Sequence, residues 1–188
     1  MAKQYPDIDA VQPAFIAAQK IFFTASGAAT GRLNLSPKGM DSLRVLSPSR
    51  IAYLDLTGSG NETAAHMRAD GRMTIMLCAL ESAPKILRLY GRGRIVRRDS
   101  AEYGALLAAE YAGSEPLGAR QIVVLDVDLV QTSCGFGVPL FAYEGERPTL
   151  TRWAEAKEGD IGLDAYRREK NRFSIDGLPT GLFEEPAE

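Results

Sequence analysis

Apolar and polar residues alternate through much of the first two thirds of the chain, and glycine, proline and serine break the alternation at short intervals. That is the pattern of half-buried strands joined by tight turns. Lys20 to Ser26 (KIFFTAS) is aromatic and β-branched and predicts a strand. Gly27 to Gly31 predicts a turn, and Arg32 to Pro37 alternates again. Leu43 to Leu46 and Ile51 to Leu56 predict strands on either side of Ser47-Pro48-Ser49. Arg72 to Leu80 and Lys85 to Val96 predict two longer strands, joined by Glu81-Ser82-Ala83-Pro84. Gly91 and Gly93 inside the second predict a bend or bulge. Gly118 to Gln131 predicts the last strand, with Asp126 and Asp128 alternating against Val127 and Leu129. A glycine-rich aromatic loop, Cys134 to Pro139, follows it.

Helical spacing appears in four places. Ile8 to Lys20 places Val11, Phe15, Ile16 and Ala18 on one face, with Pro13 in the first turn. Glu62 to Arg68 predicts a short helix closed by Ala69-Asp70-Gly71. Ser100 to Ala112 carries Ala101, Leu106, Leu107 and Tyr111, with Ser100 or Asp99 as cap. The C-terminal third predicts helices over Arg147 to Lys157 and Gly159 to Arg172, then SIDGLP and an acidic tail. Strands in sequence-adjacent hairpins, with few helices between them, predict an α+β fold on a small antiparallel barrel rather than a βαβ sheet. Closure would also remove exposed strand edges. With no internal repeat or linker, residues 1–188 form a single domain: a barrel over about 20–140 and a helical extension over about 147–188.

Composition narrows the class. A chain of 188 residues with 45% hydrophobic and 24% charged content is an ordinary soluble domain, large enough to bury a core and a cofactor. A net charge of −2 argues against nucleic acid as a partner. No apolar run is long enough for a membrane span, and MAKQYPDID lacks the apolar core of a signal peptide, so a cytoplasmic location is expected. Two cysteines, Cys78 and Cys134, and one histidine, His66, exclude a disulfide framework and a structural zinc site.

The most informative stretch is the exit from the Ile51–Leu56 strand. Thr57, Ser59, Asn61 and Thr63 offer hydroxyl and amide groups where a helix exposes its unpaired N–H groups, and Gly58 and Gly60 let backbone approach a ligand. Such a site suits a phosphate. An ordinary capped loop has the same composition, and these residues alone do not separate the two.

SPKG (Ser36 to Gly39), YLDLTGSGNETAAHM (Tyr53 to Met67), ILRLYGRGRIV (Ile86 to Val96) and CGFGVP (Cys134 to Pro139) resemble, in order and spacing, the pyridoxamine 5′-phosphate oxidase-related FMN-binding split barrels. The similarity continues through Thr151 to Pro179. The resemblance implies a six-stranded antiparallel split β-barrel with peripheral helices and a helical C-terminal region. It also implies a homodimer with the cofactor near the interface, and FMN as that cofactor, with a deazaflavin or haem as alternatives. Asn34, Ser36 and Lys38 would share one cofactor-facing side of a strand that also contains Pro37. Leu54, Asp55, Thr57, Ser59, Gly60, Asn61, Glu62 and Thr63 would form the phosphate segment. Arg88, on a strand face with Tyr90, Arg92 and Arg94, and Trp153 complete the implied set; a solvated arginine and a hydrophobic anchor are the alternatives. His66 is expected to be a surface or packing residue, with haem ligation as the alternative.

Two departures from the oxidase proper stand out. Its Ser-Arg-Lys run is here Gly60-Asn61-Glu62-Thr63, so phosphate binding would rest on backbone N–H groups and neutral side chains. Its C-terminal arginine-histidine pair has no counterpart in GLPTGLFEEPAE. With no triad, paired carboxylates or metal cluster in the sequence, the chemistry would be the flavin's. The implied function is an FMN-dependent oxidoreductase acting on an unidentified small substrate by hydride transfer through flavin N5. The alternative is a non-catalytic split barrel that binds the cofactor without turnover.

Overall fold

The computed structural model describes residues 2–158 and 160–184. Gly159, where the last helix was expected to begin, and residues 185–188 of the expected acidic tail lie outside the described residues. The elements run β1 (Lys3–Tyr5), α1 (Gln12–Ala18), β2 (Phe22–Ser26), β3 (Asn34–Lys38), β4 (Leu43–Ser47), β5 (Arg50–Leu56), α2 (Glu62–Ala69), β6 (Arg72–Cys78), β7 (Ile86–Arg97), α3 (Ala101–Glu110), β8 (Ala119–Ser133), α4 (Thr149–Glu155) and α5 (Asp160–Lys170).

All pairings are antiparallel, in the order β3-β2-β6-β7-β8-β5-β4, and β1 pairs with β8. The two ends of this path, β3 and β4, are consecutive in the chain and joined through residues 39–42. Laid flat, seven strands would hold the ends about 29 Å apart. A five-bond connection spans at most about 18 Å. The sheet must therefore curl, which gives the α+β antiparallel split barrel that the strand pattern predicts.

The core explains the least alternating strands. Ile51, Tyr53, Val123 and Leu125 pack inside the barrel with Ile75, Leu77, Leu87 and Leu89. Their neighbours Ala52, Leu54, Ile122 and Val124 pack on the other face beneath α3, around Tyr103. β5 and β8 are thus apolar on both sides, which is why the run Ile122 to Leu125 does not alternate. α3 begins as expected, with the Ser100 hydroxyl accepting from the Tyr103 N–H at 3.2 Å.

Three local features differ from expectation or refine it. β1, a polar KQY segment with no strand signal, takes the edge of β8 at Val130–Thr132, beyond the Ala119–Asp126 stretch that β5 occupies. α1 is shorter than predicted, and Val11 is its exposed N-cap while Gln12 and Ile16 face the core. The bulge expected near Gly91 lies between Tyr90 and Gly91, opposite Leu129 and Val127. A Cβ on Gly91 would stand 1.9 Å from the Asp126 carbonyl oxygen, so the close strand crossing admits only glycine.

Gly91→Ala should lower stability by about 1–3 kcal/mol or more, since backbone rather than a movable side chain blocks the methyl group. Gly104→Ala, mid-helix in α3 with open space around it, should raise stability by up to about 1 kcal/mol. Urea unfolding midpoints of the two variants against the parent check both signs.

Candidate functional site

β5 delivers Asp55 into the interior at 3% exposure, immediately before the chain leaves the barrel. Its carboxylate is completely engaged. Lys38 Nζ from β3 lies 2.9 Å from Oδ1. On Oδ2, Arg120 donates from Nη2 at 2.6 Å and Nε at 3.1 Å, and Gln121 donates from Nε2 at 2.9 Å. Burial alone would push this carboxyl up; Arg120 and Lys38 outweigh it and hold Asp55 well below the usual carboxylate range.

The same side chains fasten the following loop. Arg120 Nη1 donates to the Gly60 carbonyl at 2.9 Å and to Asn171 Oδ1 at 2.8 Å, and Asn171 Nδ2 donates to the Gly58 carbonyl at 3.1 Å. Thr57 donates from Oγ1 to the Gly118 carbonyl at 2.9 Å and receives Arg167 Nε at 2.9 Å. A loop of glycine and small polar residues is thereby held from β8 and α5 rather than by its own packing.

The loop ends at Asn61, the N-cap of α2 by position, whose side chain does not cap the helix. Asn61 Oδ1 instead accepts from Gln121 Nε2 at 2.8 Å. Its Nδ2 is buried with no hydrogen-bond partner among the described residues. The start of α2 therefore combines uncapped backbone N–H groups with an orphaned amide donor. A buried donor left unpaired costs roughly 1–3 kcal/mol, a cost that a bound anion would relieve.

Beside this helix start lies a cavity of about 740 Å³ between β3, the 58–60 loop, α2 and the 173–175 segment. Asn34, Ser36, Pro37 and Lys38 line it from β3, and Asp55, Ser59, Gly60, Asn61, Glu62 and Thr63 from the loop side. Asn34 Nδ2 donates to Thr63 Oγ1 at 3.2 Å and Ser36 Oγ donates to Asn34 Oδ1 at 3.2 Å, which joins the two walls. Glu62 turns its carboxylate to the Ile175 N–H, at 3.1 and 3.0 Å from its two oxygens. A second cavity of about 550 Å³ adjoins it through Pro37, Lys38, Asp55, Leu56 and Gly58, and Leu54, Tyr111 and Leu150 face that side.

Ten of the fourteen residues named from the sequence thus share one cavity. Leu54 and Thr57 border only the adjoining one. Arg88 and Trp153 line neither: Arg88 donates to Ser133 Oγ at 3.1 Å on the barrel wall, and Trp153 packs edge-on against Tyr166 at 4.9 Å.

Sequence reasoning missed several residues. His66, expected at the surface or in packing, is 2% exposed and lines the cavity, with Nδ1 3.0 Å from the buried Ser26 Oγ. Arg120, Lys170 and the 173–175 segment also line it. The signal for Arg120 was present: Arg120-Gln121 is a charged and amide pair opening an otherwise apolar strand. Nothing in the sequence marked Lys170 or Phe173. Among the described residues no helix is long and apolar enough to cross a membrane.

A family model for pyridoxamine 5′-phosphate oxidase matches residues 8–134. The pyridoxamine 5′-phosphate oxidase family protein ustO of Aspergillus flavus is 39% identical over 177 residues, covering 86% of this chain and 70% of its own. Among solved structures, a HupZ variant from Group A Streptococcus superposes with a TM-score of 0.55 at 18% identity, over 67% of this chain and 99% of its own. A candidate pyridoxamine 5′-phosphate oxidase from Lactobacillus delbrueckii gives 0.52 at 17% identity, over 67% and 94%. At those identities the structural likeness shows the fold.

Asp55→Asn strands two cations in the interior and should cost about 3–5 kcal/mol at neutral pH. The depressed carboxyl contributes stability that is complete above the ordinary aspartate range, near pH 4, and is lost as the pH falls below it. The parent should therefore lose stability between about pH 5 and pH 2 more steeply than Asp55→Asn. Urea unfolding of both proteins across that range measures the difference.

Proposed function

Because the chain belongs to the pyridoxamine 5′-phosphate oxidase family, we propose that the 740 Å³ cavity holds FMN and that the protein is an FMN-dependent oxidoreductase acting on a small organic substrate. The observation that carries this reading is the unpaired Asn61 Nδ2 at the uncapped start of α2. A phosphate there meets backbone N–H groups, the positive helix end and a buried amide donor. The glycine loop leaves room for it, because a Cβ on Gly58 would meet nothing within 4 Å.

The residues present fit the rest of the group as well. Asn34, Ser36 and Thr63 offer polar atoms along one wall. Lys38 stands at the junction of the two cavities, 2.9 Å from Asp55, where its cation favours negative charge on a ligand beside it. Bound there, the flavin supplies hydride transfer at its ring. The chain's own contribution is to bind and orient it and to leave the adjoining cavity, with Leu54, Tyr111 and Leu150, for the substrate. Glu62 lines the same cavity with its carboxylate hydrogen-bonded to the Ile175 N–H, which lessens its repulsion of a phosphate without removing its charge.

The working unit under this reading is a homodimer. Leu35 on β3 and Leu33 just before it stand 68% and 84% exposed, and Phe136, Leu140 and Phe141 are exposed on the loop after β8. Apolar surface of this kind is suited to cover by a second copy. A second reading, a haem protein, is kept by His66, which lines the cavity with one ring nitrogen held by Ser26.

The purified protein, mixed with FMN and gel-filtered, should retain flavin absorbance and elute as a dimer. A Soret band would favour the haem reading, and a colourless monomer would remove the flavin reading. Asn61→Asp places a carboxylate at the proposed phosphate position and should weaken FMN by about tenfold or more, roughly 1.4 kcal/mol or above. Fluorescence titration of FMN quenching measures it, and unchanged affinity in a folded variant would overturn the assignment.

A further inference from the structure

Arg120 borders two cavities, the one described above and a separate one of about 790 Å³ behind it. The second is walled by the opposite face of α2, the end of β7, α5 and residues 180–184. Its charge is unlike that of the chain as a whole, which carries −2. β7 contributes Arg94 and Arg97, the turn after it Arg98, α2 contributes Arg68, and α5 contributes Arg167 and Arg168. The acids lining the same space are Asp99, Asp164 and Glu184.

Most of the carboxylates around this groove orient the arginines. Glu102 holds Arg94, Asp99 holds Arg97, and Glu115 holds Arg98, each through two guanidinium nitrogens. Asp164 lies 3.4 Å from Arg168 on the same helix face. Glu184 comes from the segment after α5 and touches two of these arginines at once. Its carboxylate is paired with Arg68, and its backbone carbonyl accepts from Arg97. A glutamate near the chain end thus sits where an external anion would sit. Arg68 and Glu184 are 47% and 51% exposed, so the pair contributes less than about fivefold in an equilibrium constant.

Apolar groups complete the lining. Met67, Ile95 and Leu182 border the groove, and the Phe183 ring lies 4.4 Å from the Arg168 guanidinium. Arginines beside a flat apolar surface suit a ligand with a phosphate head and a planar body.

We propose that this arginine groove is a second ligand site, for a phosphate-bearing small molecule of the nucleoside diphosphate class, and that Glu184 is its intramolecular competitor. Isothermal titration of the full chain with ADP, after saturation with FMN, tests it. ADP should bind one to one, and inorganic pyrophosphate should compete while adenosine does not. Glu184→Gln should tighten ADP by about twofold to fivefold, because the competing charge is removed. Arg97→Gln combined with Arg168→Gln should weaken it by at least about tenfold, with circular dichroism checking that the variant, in which the part-buried Arg97 is changed, stays folded. Asn61→Asp should leave ADP affinity unchanged, which separates this groove from the proposed flavin cavity. Should the chain retain no FMN, the same titration on the apoprotein decides the groove independently. Absence of ADP binding, equal binding of adenosine, or an unchanged affinity in Glu184→Gln would overturn the proposal.

Discussion

Asp55 is buried at the point where the chain leaves the barrel, and the need to neutralise its charge dictates what surrounds it. An unpaired carboxylate in that position would cost several kcal/mol, and at an effective dielectric near 20 one contact at about 4 Å returns only about 4 kcal/mol. The site therefore gathers two cations and an amide. What it gains is position, because each partner belongs to a different element: Lys38 to β3, Arg120 and Gln121 to β8, and, through Arg120, the Gly60 carbonyl and Asn171 beyond α5. The 57–61 loop has little apolar surface of its own, and this network makes it a fixed wall.

The curl of the sheet does the rest. Because β3 and β4 are both sheet ends and chain neighbours, the cleft between them opens beside Asp55. Lys38 and Asp55 bridge it with side chains in place of ladder hydrogen bonds. Both cavities next to this bridge have a strand wall, from β3 and β5, that the barrel holds in place, and loop and helix walls on the other sides. A ligand entering them meets walls that are already in position, so little of its binding energy goes into ordering the protein.

Much of this architecture was legible because strand alternation and turn chemistry are local. β2 to β8 lie close to where the pattern put them, and Gly91 announced its bulge. β1 was not legible, since its place depends on an unfilled edge of β8 rather than on KQY itself. At the site, the 57–63 segment and the β3 face were readable from residue type and spacing. That Asn61 leaves its helix uncapped was not readable, because Gln121, which donates to its carbonyl oxygen, is 60 residues away. Of the surface or packing role expected for His66, only the structure selects packing, because its burial follows from how α2 lies on β2, and helical periodicity over a single short helix does not show which face is covered. Arg88 and Trp153, taken from family likeness alone, lie away from the cavity within the protomer.

The pairing of Asp55 with Arg120 has a further consequence when the protein is made. The two are 65 residues apart, and β5 must likewise wait for β8 to fill its second edge. A ribosome adding roughly 5–20 residues per second exposes the β4–β5 hairpin, with its apolar faces and an uncompensated acid, for several seconds before its partner strand emerges. The nascent chain is most vulnerable to mispairing in that interval. β6 and β7, which lie between the two in the chain, are the strands that can pair with each other meanwhile.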